Sequence, residues 1–327
     1  MRYHSLLEEF MDIHYDHPAP AHDIPPEFIV SRLKKPAGRV SAVLDTDPFN
    51  EVDDQFALAY ILRSPERIDL QAIYAAPFHN EKVASAAEGM ERSYQETHRI
   101  LALMGREGDC GQTVYRGSDR FLADEETPVD SPAAHDLVAR AMARPDGDPL
   151  YVIAIGAITN VASALLMEPA IARKVVVLWL GGHALEWFNT KEFNMLQDVA
   201  AARVLLGCGV PVVLFPCNGV VSALTTTGPE IEHWLRGKNQ LCDYLCDITR
   251  EEAERNRQGP FWSRTIWDVA PVAWLLEMDC TETRLEPAPI PSYDGYYSIC
   301  PCNHPILYVY SVRRDRIIGD LYTKLAR

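Results

Sequence analysis

In residues 43–58, "VLDTDPFNEVDDQFAL", an apolar strand leads into a group of aspartates and then into an apolar helix. The four acids are Asp45, Asp47, Asp53 and Asp54. Two carboxylates about 4 Å apart repel each other by roughly 4 kcal/mol at the effective dielectric near a protein surface. No lysine or arginine lies between residues 41 and 62 to neutralise them. A preference for the helix N-terminus explains the last two acids, but not the first two. A hard divalent cation, Ca²⁺ or Mg²⁺, explains all four.

The sequence around this stretch alternates between apolar strands and helices from residue 39 to about residue 216. Strands that are apolar throughout are typical of parallel sheets covered on both faces. We therefore predict an α/β fold with an open, mostly parallel, doubly wound, Rossmann-like sheet, helices on both faces and a mostly helical region at 229–278. Ligands bind such sheets at the carboxyl ends of the strands. Asp45, Asp47, Ile155 and Gly181–Gly182 fall at these ends.

Local signals predict several helix starts and the domain boundary. Ser131 should cap the helix that begins at Pro132, and Thr159 or Asn160 should cap the helix that follows the next strand. We interpret residues 1–38, which contain "HPAPAHDIPPEF", as an N-terminal extension with a short helix at 3–13, and residues 39–327 as one domain. We expect the extension to wrap around the domain or a neighbouring subunit.

Composition limits the partners of the chain. Its 327 residues carry a net charge of −15, which argues against binding to a nucleic-acid backbone. No apolar run reaches membrane-spanning length, and the N-terminus lacks the pattern of a secretory signal, so we expect no membrane partner and a cytoplasmic location.

The eight cysteines do not predict a zinc site. Cys242 and Cys246 lie four apart on a predicted helix, and Cys300 and Cys302 flank a proline. Neither pair has a second pair at zinc-ribbon spacing. We expect free, buried thiols.

Two known families place aspartates after a first strand. In phosphatases of the haloacid-dehalogenase type, two aspartates two residues apart precede threonine or valine, whereas "DTDPF" has Phe49 there. No later acidic pair completes that pattern, so a Mg²⁺-dependent phosphatase is a distant alternative.

The nucleoside hydrolase family offers a more specific resemblance. Its first strand ends in Asp-x-Asp-Pro-Gly, followed by one residue, Asp-Asp and an apolar helix, and this chain has "DTDPFNEVDDQFALAYIL" at 45–62. The family glycine is absent, and two extra residues lengthen the loop to "FNEV". Three further segments are similar to family motifs in the same order: "IGAITNVASALL" at 155–166, "LGGHALEWFNTKEFNMLQDVAAARVLL" at 180–206 and "RTIWDVAPVAWLL" at 264–276. The resemblance covers most of residues 40–325.

The resemblance implies Ca²⁺-dependent hydrolysis of the N-glycosidic bond of ribonucleosides. The calcium ligands would be Asp47, Asp54, Asp268 and the backbone carbonyl of Ile155, together with two ribose hydroxyls and a water. Asp45 would support the site through hydrogen bonds. Asp47 would act as the catalytic base toward the attacking water. Taken alone, an aspartate at 268 is better explained as a helix cap.

The same resemblance assigns the sugar contacts. Asp53 would hold a ribose hydroxyl, and Asn80, or His79 after a small shift, would contact the sugar. Glu192 and Asn194 would bind the 5′-hydroxyl and the sugar edge. A further family asparagine aligns with Glu186, and Asn189 could replace it.

The part of the site that holds the base is the most open. Some family members have a histidine general acid where this chain has Trp267, and purine-preferring members use tryptophan there. An indole can stack on a purine, so we expect a purine preference, although core packing is an alternative role for Trp267. Other candidates for the base pocket are His183, Trp187, His79 and Trp262.

Two alternatives keep the site and change its use. The lengthened loop could suit another N-ribosyl compound, or the chain could bind a ribosyl ligand without turnover. Family members assemble as dimers or tetramers, so we expect a homodimer or a homotetramer.

Overall fold

The computed structural model describes residues 24–106, 114–255, 259–276 and 278–327. The predicted helix at 3–13 lies outside these ranges. The strands are β1 Val40–Thr46, β2 Ile68–Ala75, β3 Val114–Arg116, β4 Leu150–Ala154, β5 Val175–Leu180, β6 Val212–Phe215, β7 Thr225–Thr227, β8 Ser263–Thr265, β9 Thr281–Pro287, β10 Pro289–Pro291, β11 Tyr297–Ile299 and β12 Pro305–Val312. The α-helices are α1 Pro26–Arg32, α2 Asp53–Leu62, α3 Ala86–Leu103, α4 Pro132–Met142, α5 Thr159–Met167, α6 Phe193–Gln197, α7 Val199–Gly207, α8 Gly228–Trp234, α9 Gln240–Arg255, α10 Val269–Leu275 and α11 Arg314–Leu325.

An eight-stranded sheet in the order β3-β2-β1-β4-β5-β6-β12-β9 forms the centre of the molecule. Every neighbouring pair is parallel except β12 and β9, which are antiparallel at one edge. The predicted mostly parallel, doubly wound sheet is therefore confirmed. The strand order reverses direction between β1 and β4, and this switch point is where an open α/β sheet leaves a crevice for a ligand.

The inner strands are buried because helices cover both faces of the sheet. Every residue of β4, β5 and β6 is buried, which explains why these strands read as continuous apolar runs. The later region is mostly helical as predicted. Strand β8 interrupts it and pairs with β7, and the hairpin β10–β11 follows it; these three-residue strands are too short to leave an alternating pattern in the sequence.

One predicted cap is confirmed and another is wrong. The Ser131 hydroxyl accepts a hydrogen bond from the amide of Ala134, as predicted. Helix α5 has no side-chain cap, because Thr159 and Asn160 already lie inside its first turn. Their side chains instead bond to the distant carboxylates of Asp198 and Asp45.

The prediction of free, buried thiols is confirmed for one of the two cysteine pairs and wrong for the other. Cys242 and Cys246 are free and buried on α9. Cys300 and Cys302 form a disulfide, so the prediction is wrong for them. They lie on the turn between β11 and β12, which brings their Cα atoms to 5.3 Å, within the usual range for a disulfide.

The described part of the N-terminal segment packs on the domain. Ile24, Ile29 and Leu33 are buried in the same apolar cluster as the central strands. The division at residue 38 stays a proposal. No helix in the described ranges combines the length and apolar character that crossing a bilayer requires.

Candidate active site

A cavity of about 210 Å³ opens at the carboxyl ends of β1, β4 and β5. Its walls combine a group of acids with a smaller aromatic and polar side. The carboxyl groups that line it are Asp47, Glu51, Asp53, Asp54, Glu192 and Asp268. The cavity thus lies at the switch point of the sheet, where the sequence predicted a site.

Asp45, in β1, and Asp47, which directly follows β1, have different surroundings. Asp45 does not line the cavity; its Oδ1 accepts a 2.7 Å hydrogen bond from Asn160 Nδ2. Asn160 Oδ1 in turn accepts from the backbone amide and hydroxyl of Ser118, at 2.7 and 2.9 Å. Burial raises the pKa of Asp45 to about 7, although the Asn160 hydrogen bond opposes the shift. Asp45 therefore anchors the strand end, which fits the supporting role predicted for it.

Asp47 faces the cavity without a protein partner. Both of its carboxylate oxygens are buried and accept no hydrogen bond. Its backbone amide donates to Asp54 Oδ1 at 3.0 Å, and the Thr46 hydroxyl donates to the same oxygen. Asp54 is thus fixed beside Asp47, while the Asp47 oxygens stay available to a ligand.

Residues from opposite ends of the chain complete the acidic group. Asp53 and Asp54 begin α2, Asp268 directly precedes α10, and carboxylate oxygens of these three buried residues lie within 4.8 Å of one another. Asp268 makes no capping hydrogen bond to α10, so the helix-cap explanation fails for it.

Burial and mutual repulsion shape the electrostatics of this group. Burial first, and repulsion from neighbouring acids second, raise the pKa of Asp47, Asp53 and Asp268 well above the usual range. Burial raises the pKa of Asp54 to about 6 against the pull of its hydrogen bonds. Among the described residues, no ion pair to lysine or arginine involves these four acids or Asp45. Attraction from Arg264 lowers the pKa of Asp53 but does not outweigh burial. Buried carboxylates with unused oxygens and no ion pair are a donor set that fits a hard divalent cation.

The sugar-binding candidates of the "EFN" segment lie in the cavity wall. Glu192 caps α6 and accepts hydrogen bonds from the amides of Gly182, Asn194 and Met195, at 2.8, 2.8 and 2.9 Å. Burial raises the pKa of Glu192 to about 7. Asn194 Nδ2 donates to the carbonyls of Ile155 and Leu180 at 3.1 and 3.0 Å. The Ile155 carbonyl keeps a second lone pair for another partner.

The aromatic side of the cavity contains Trp267 and His183. The Arg264 guanidinium lies 5.3 Å from the centre of the Trp267 ring and forms an ion pair with Glu51. The Trp267 Nε1 is buried without a hydrogen-bond partner. His183 Nδ1 accepts the amide N–H of Asn218 at 3.3 Å, and burial lowers the pKa of His183.

Four predicted or alternative sugar contacts do not line the cavity. Asn80 lies behind the wall and donates to Asn50, which does line it, at 2.8 Å. His79 is exposed, and Asn189 accepts the amide of Lys191. Glu186 is exposed and pairs with Arg284.

The remaining base-pocket candidates also lie outside the lining. Trp187 is 40% exposed and packs edge-on against His183, with ring centres 5.9 Å apart. Trp262 packs beside Gly228.

Sequence reasoning missed seven residues of the wall, of which Leu180, Lys191 and Phe193 lie in or next to segments already quoted. Asn50 and Glu51 belong to the lengthened loop, and Cys217 and Asn218 directly follow β6. The rule that ligands meet the carboxyl ends of parallel strands could have identified the second pair. Nothing local marks Glu51, because its partner Arg264 is 213 residues away.

Comparison with known proteins gives a consistent picture. The sequence pattern of the inosine-uridine preferring nucleoside hydrolases matches residues 42–295. The pyrimidine-specific ribonucleoside hydrolase RihA of Citrobacter koseri is 25% identical over 266 residues, covering 74% of this chain and 80% of the relative. The RihA of Escherichia fergusonii is 28% identical with coverage of 74% and 81%.

Two solved structures share the fold. A plant nucleoside hydrolase, PpNRh1, superposes with a TM-score of 0.70 at 19% identity, covering 88% of this chain and 99% of the other. The purine-preferring ribonucleoside hydrolase of Gardnerella vaginalis gives a TM-score of 0.68 at 19% identity, with coverage of 88% and 98%.

Proposed function

The chain belongs to the inosine-uridine preferring nucleoside hydrolase family, and on that premise we propose that it hydrolyses the N-glycosidic bond of ribonucleosides with Ca²⁺ as its metal. The products are ribose and the free base. The observation that carries the proposal is the pair of buried, unpartnered Asp47 oxygens beside the group Asp53, Asp54 and Asp268. A fold has no reason to bury such a group unless a ligand compensates it.

The metal would be held by Asp47, Asp54, Asp268 and the Ile155 carbonyl. When bound, the ion supplies positive charge that offsets the repulsion among the carboxylates and acidifies the attacking water. We favour Ca²⁺ over Mg²⁺ because Ca²⁺ accepts six to eight oxygen ligands in flexible geometry, which suits several carboxylates and a sugar diol.

The residues of the chain divide the work on the sugar. Asp47 takes the proton of the attacking water, since its oxygens have no other partner. The surrounding carboxylates stabilise the positive charge that grows on the ribose in an oxocarbenium-like transition state. Asp53 holds a ribose hydroxyl, and Glu192 and Asn194 hold the 5′-hydroxyl and the sugar edge. Asn80 acts through Asn50, which it hydrogen-bonds.

The base lies on the aromatic side of the cavity. Trp267 lines this side and offers a ring for stacking, which supports a preference for purines. Proteins similar to this chain carry names of both kinds, pyrimidine-specific and purine-preferring, so the preference for purines is part of the proposal. Assembly as a homodimer or homotetramer and a cytoplasmic location remain predictions.

Release of reducing sugar tests the proposal. The protein is stripped with a chelator, reloaded with Ca²⁺ or Mg²⁺, and incubated with inosine, adenosine, uridine and cytidine. We expect ribose release that returns with Ca²⁺ and is faster for purines. No release from any of the four nucleosides by the Ca²⁺-loaded protein contradicts the proposal, and calorimetric binding without release would indicate a ribosyl-binding protein instead.

A further inference from the structure

Asn218 lies just beyond the carboxyl end of β6 and lines the aromatic side of the cavity together with His183. Asn218 is half-buried, and His183 is 6% exposed. Two contacts join these residues. The backbone amide of Asn218 donates to His183 Nδ1 at 3.3 Å, and one end of the Asn218 side-chain amide lies 3.4 Å from His183 Nε2. Together the two contacts determine how the Asn218 side chain is oriented.

The first contact determines the tautomer of His183. A backbone N–H can only donate, so Nδ1 is the acceptor nitrogen of the ring and carries no proton. Burial lowers the pKa of His183, although a hydrogen bond to the Lys191 backbone opposes the shift, so the ring is uncharged at neutral pH. The one ring proton is therefore on Nε2, and Nε2–H faces the Asn218 side chain as a donor.

The second contact then determines the direction of the Asn218 amide. A donor at Nε2 requires an acceptor opposite it, so the Asn218 oxygen, and not its nitrogen, faces His183. The two ends of an asparagine amide have the same shape and are told apart by their hydrogen-bond partners. Among the described residues, the Asn218 side chain has no partner besides His183. Its NH₂ group is therefore available to a ligand at the cavity wall.

The other polar hydrogens on this side of the cavity are less suited to contact a base. Trp267 Nε1 is buried, and the thiol of Cys217 is only a weak donor. The bases of ribonucleosides carry ring nitrogens and carbonyl oxygens that accept hydrogen bonds. When the C1′–N bond breaks, these atoms share the negative charge that passes to the base. A donor at this place therefore binds the transition state more strongly than the substrate.

We propose that Asn218 is a catalytic residue whose side-chain amide donates a hydrogen bond to the leaving base, and that His183 is the positioning residue that orients this amide. The inference rests on the proposed function and adds the group that activates the leaving base. The C1′–N bond breaks with its electron pair passing to the base, the water oxygen bonds to C1′, and the water proton passes to Asp47. The base leaves as an anion that Asn218 stabilises, and it takes its proton from solvent.

The dependence of the rate on the leaving group tests the role of Asn218. The Ca²⁺-loaded parent protein and Asn218→Ala are each given inosine, uridine and 4-nitrophenyl β-ribofuranoside, whose nitrophenolate is stable as an anion and needs little help to leave. We expect Asn218→Ala to lower kcat/KM by about 10- to 100-fold for the two nucleosides and by only about threefold for the nitrophenyl riboside. An equal loss on all three substrates would mean that Asn218 supports the sugar or the fold, and would overturn the proposal.

Two further variants separate the hydrogen bond from packing. His183→Phe keeps an aromatic ring and removes Nε2–H, so kcat/KM for the nucleosides should fall by about three- to tenfold, again with a smaller loss for the nitrophenyl riboside. Asn303→Ala is the matched control, because Asn303 is half-buried like Asn218, donates to the Ala288 carbonyl and lies outside the cavity lining. It should change kcat/KM for all three substrates by a common factor below about twofold.

The tautomer of His183 can be measured without changing Asn218. In the ¹⁵N-labelled protein at neutral pH, with the His183 signals assigned by their loss in His183→Phe, we expect a protonated Nε2 and an unprotonated Nδ1. A proton on Nδ1 would remove the reason for the amide orientation and overturn the proposal even if Asn218→Ala does not fold.

The outcomes also separate this proposal from the proposed function. If the parent protein hydrolyses none of the three substrates, the proposed function fails and the role of Asn218 fails with it. If the parent protein hydrolyses the nucleosides but the loss in Asn218→Ala is independent of the leaving group, only the role of Asn218 fails.

Discussion

Asp47 is the residue on which the proposed chemistry depends, because its two carboxylate oxygens are buried and have no hydrogen-bond partner. Neighbouring acids are held by protein groups: the oxygen Oδ1 of Asp54 accepts from Thr46 and from a backbone amide, and Asp45 accepts from Asn160. The difference makes Asp47 free to bind a ligand and to accept a proton. It also leaves Asp47 as a source of instability in the metal-free protein.

Asp47→Asn should abolish most activity and preserve the fold. Removal of a general base typically slows catalysis by about 10²–10⁴-fold, and the neutral amide relieves repulsion among buried acids. We expect a lower kcat by at least that factor and an unchanged or higher melting temperature in chelator. Asp69→Asn, at a half-buried position on β2 outside the cavity, serves as control. A melting temperature that drops in Asp47→Asn would show that the carboxylate is structural.

Asn160 is a positioning residue for the end of β1. Its side chain links Asp45 to the backbone and hydroxyl of Ser118, and all three residues are fully buried. Asn160→Ala leaves buried groups without partners, so unfolding by urea should show a loss of about 1–3 kcal/mol. Calcium affinity should fall as well. The surface change Gln71→Ala should affect neither quantity, and a loss of stability without a loss of affinity would contradict the positioning role.

Among the elements, the hairpin β10–β11 packs against the residues that follow β5. Tyr297 of β11 places its hydroxyl against Gly182, which follows β5 in a left-handed conformation with φ of 68°. That hydroxyl is buried without a hydrogen-bond partner. The Gly182 amide also donates to Glu192, so the hairpin, the end of β5 and the segment 192–194 meet at one glycine.

Substitutions of Gly182 and of Tyr297 should change the free energy of unfolding in opposite directions. Gly182→Ala should destabilise the protein by about 1–3 kcal/mol, because the left-handed backbone disfavours a side chain and the new Cβ would collide with the Tyr297 hydroxyl. Tyr297→Phe should be stabilising by up to about 1 kcal/mol, since it removes an unpaired buried hydroxyl. The double variant should recover part of the loss.

Chemical unfolding measures these effects, and Gly319→Ala provides the control. Gly319 lies within α11, and an added Cβ meets nothing within 4 Å, so alanine there should stabilise the helix by about 0.5–1 kcal/mol. A Gly182→Ala protein as stable as the parent would contradict the proposed contact.

At the scale of the whole molecule, stability should depend on both pH and metal. Burial and repulsion raise the pKa of the acidic group in the metal-free fold, with Asp54 at about 6 against an ordinary value of 3.8. Between these values the folded state retains protons that the unfolded chain has released. The stability of the metal-free protein therefore falls as pH rises through this window.

Ca²⁺ should reverse this trend. Because the ion binds the ionised carboxylates, its stabilising effect should grow as pH rises. Melting temperatures measured from about pH 4.5 to pH 8, with chelator and with Ca²⁺, should diverge toward high pH. The gap should be smaller in Asp47→Asn. A gap that is constant across this range would show that the acids are not the calcium ligands.

Several features of the fold and the site follow from local sequence. Fully apolar strands between helices predicted the parallel sheet, and uncompensated aspartates after β1 predicted an acidic group at its end. Both inferences rely on neighbours along the chain, where periodicity and charge crowding are visible. The cap predicted at Thr159 or Asn160 is wrong because a local signal does not show long-range partners. The side chains of these residues bond instead to Asp198 and Asp45.

Local sequence was sufficient for the alternating strands and helices of residues 39–216, the carboxylate-rich end of β1 and the motifs that place the chain in its family. Long-range packing was needed to show which acids meet, that Asp47 has no hydrogen-bond partner, that Asn80 lies behind Asn50, and that Glu51 pairs with Arg264. The difference lies in how far apart along the chain the interacting residues are. Helix and strand formation depend on contacts between near neighbours, whereas the convergence of Asp53 with Asp268 depends on how the sheet and its covering helices pack.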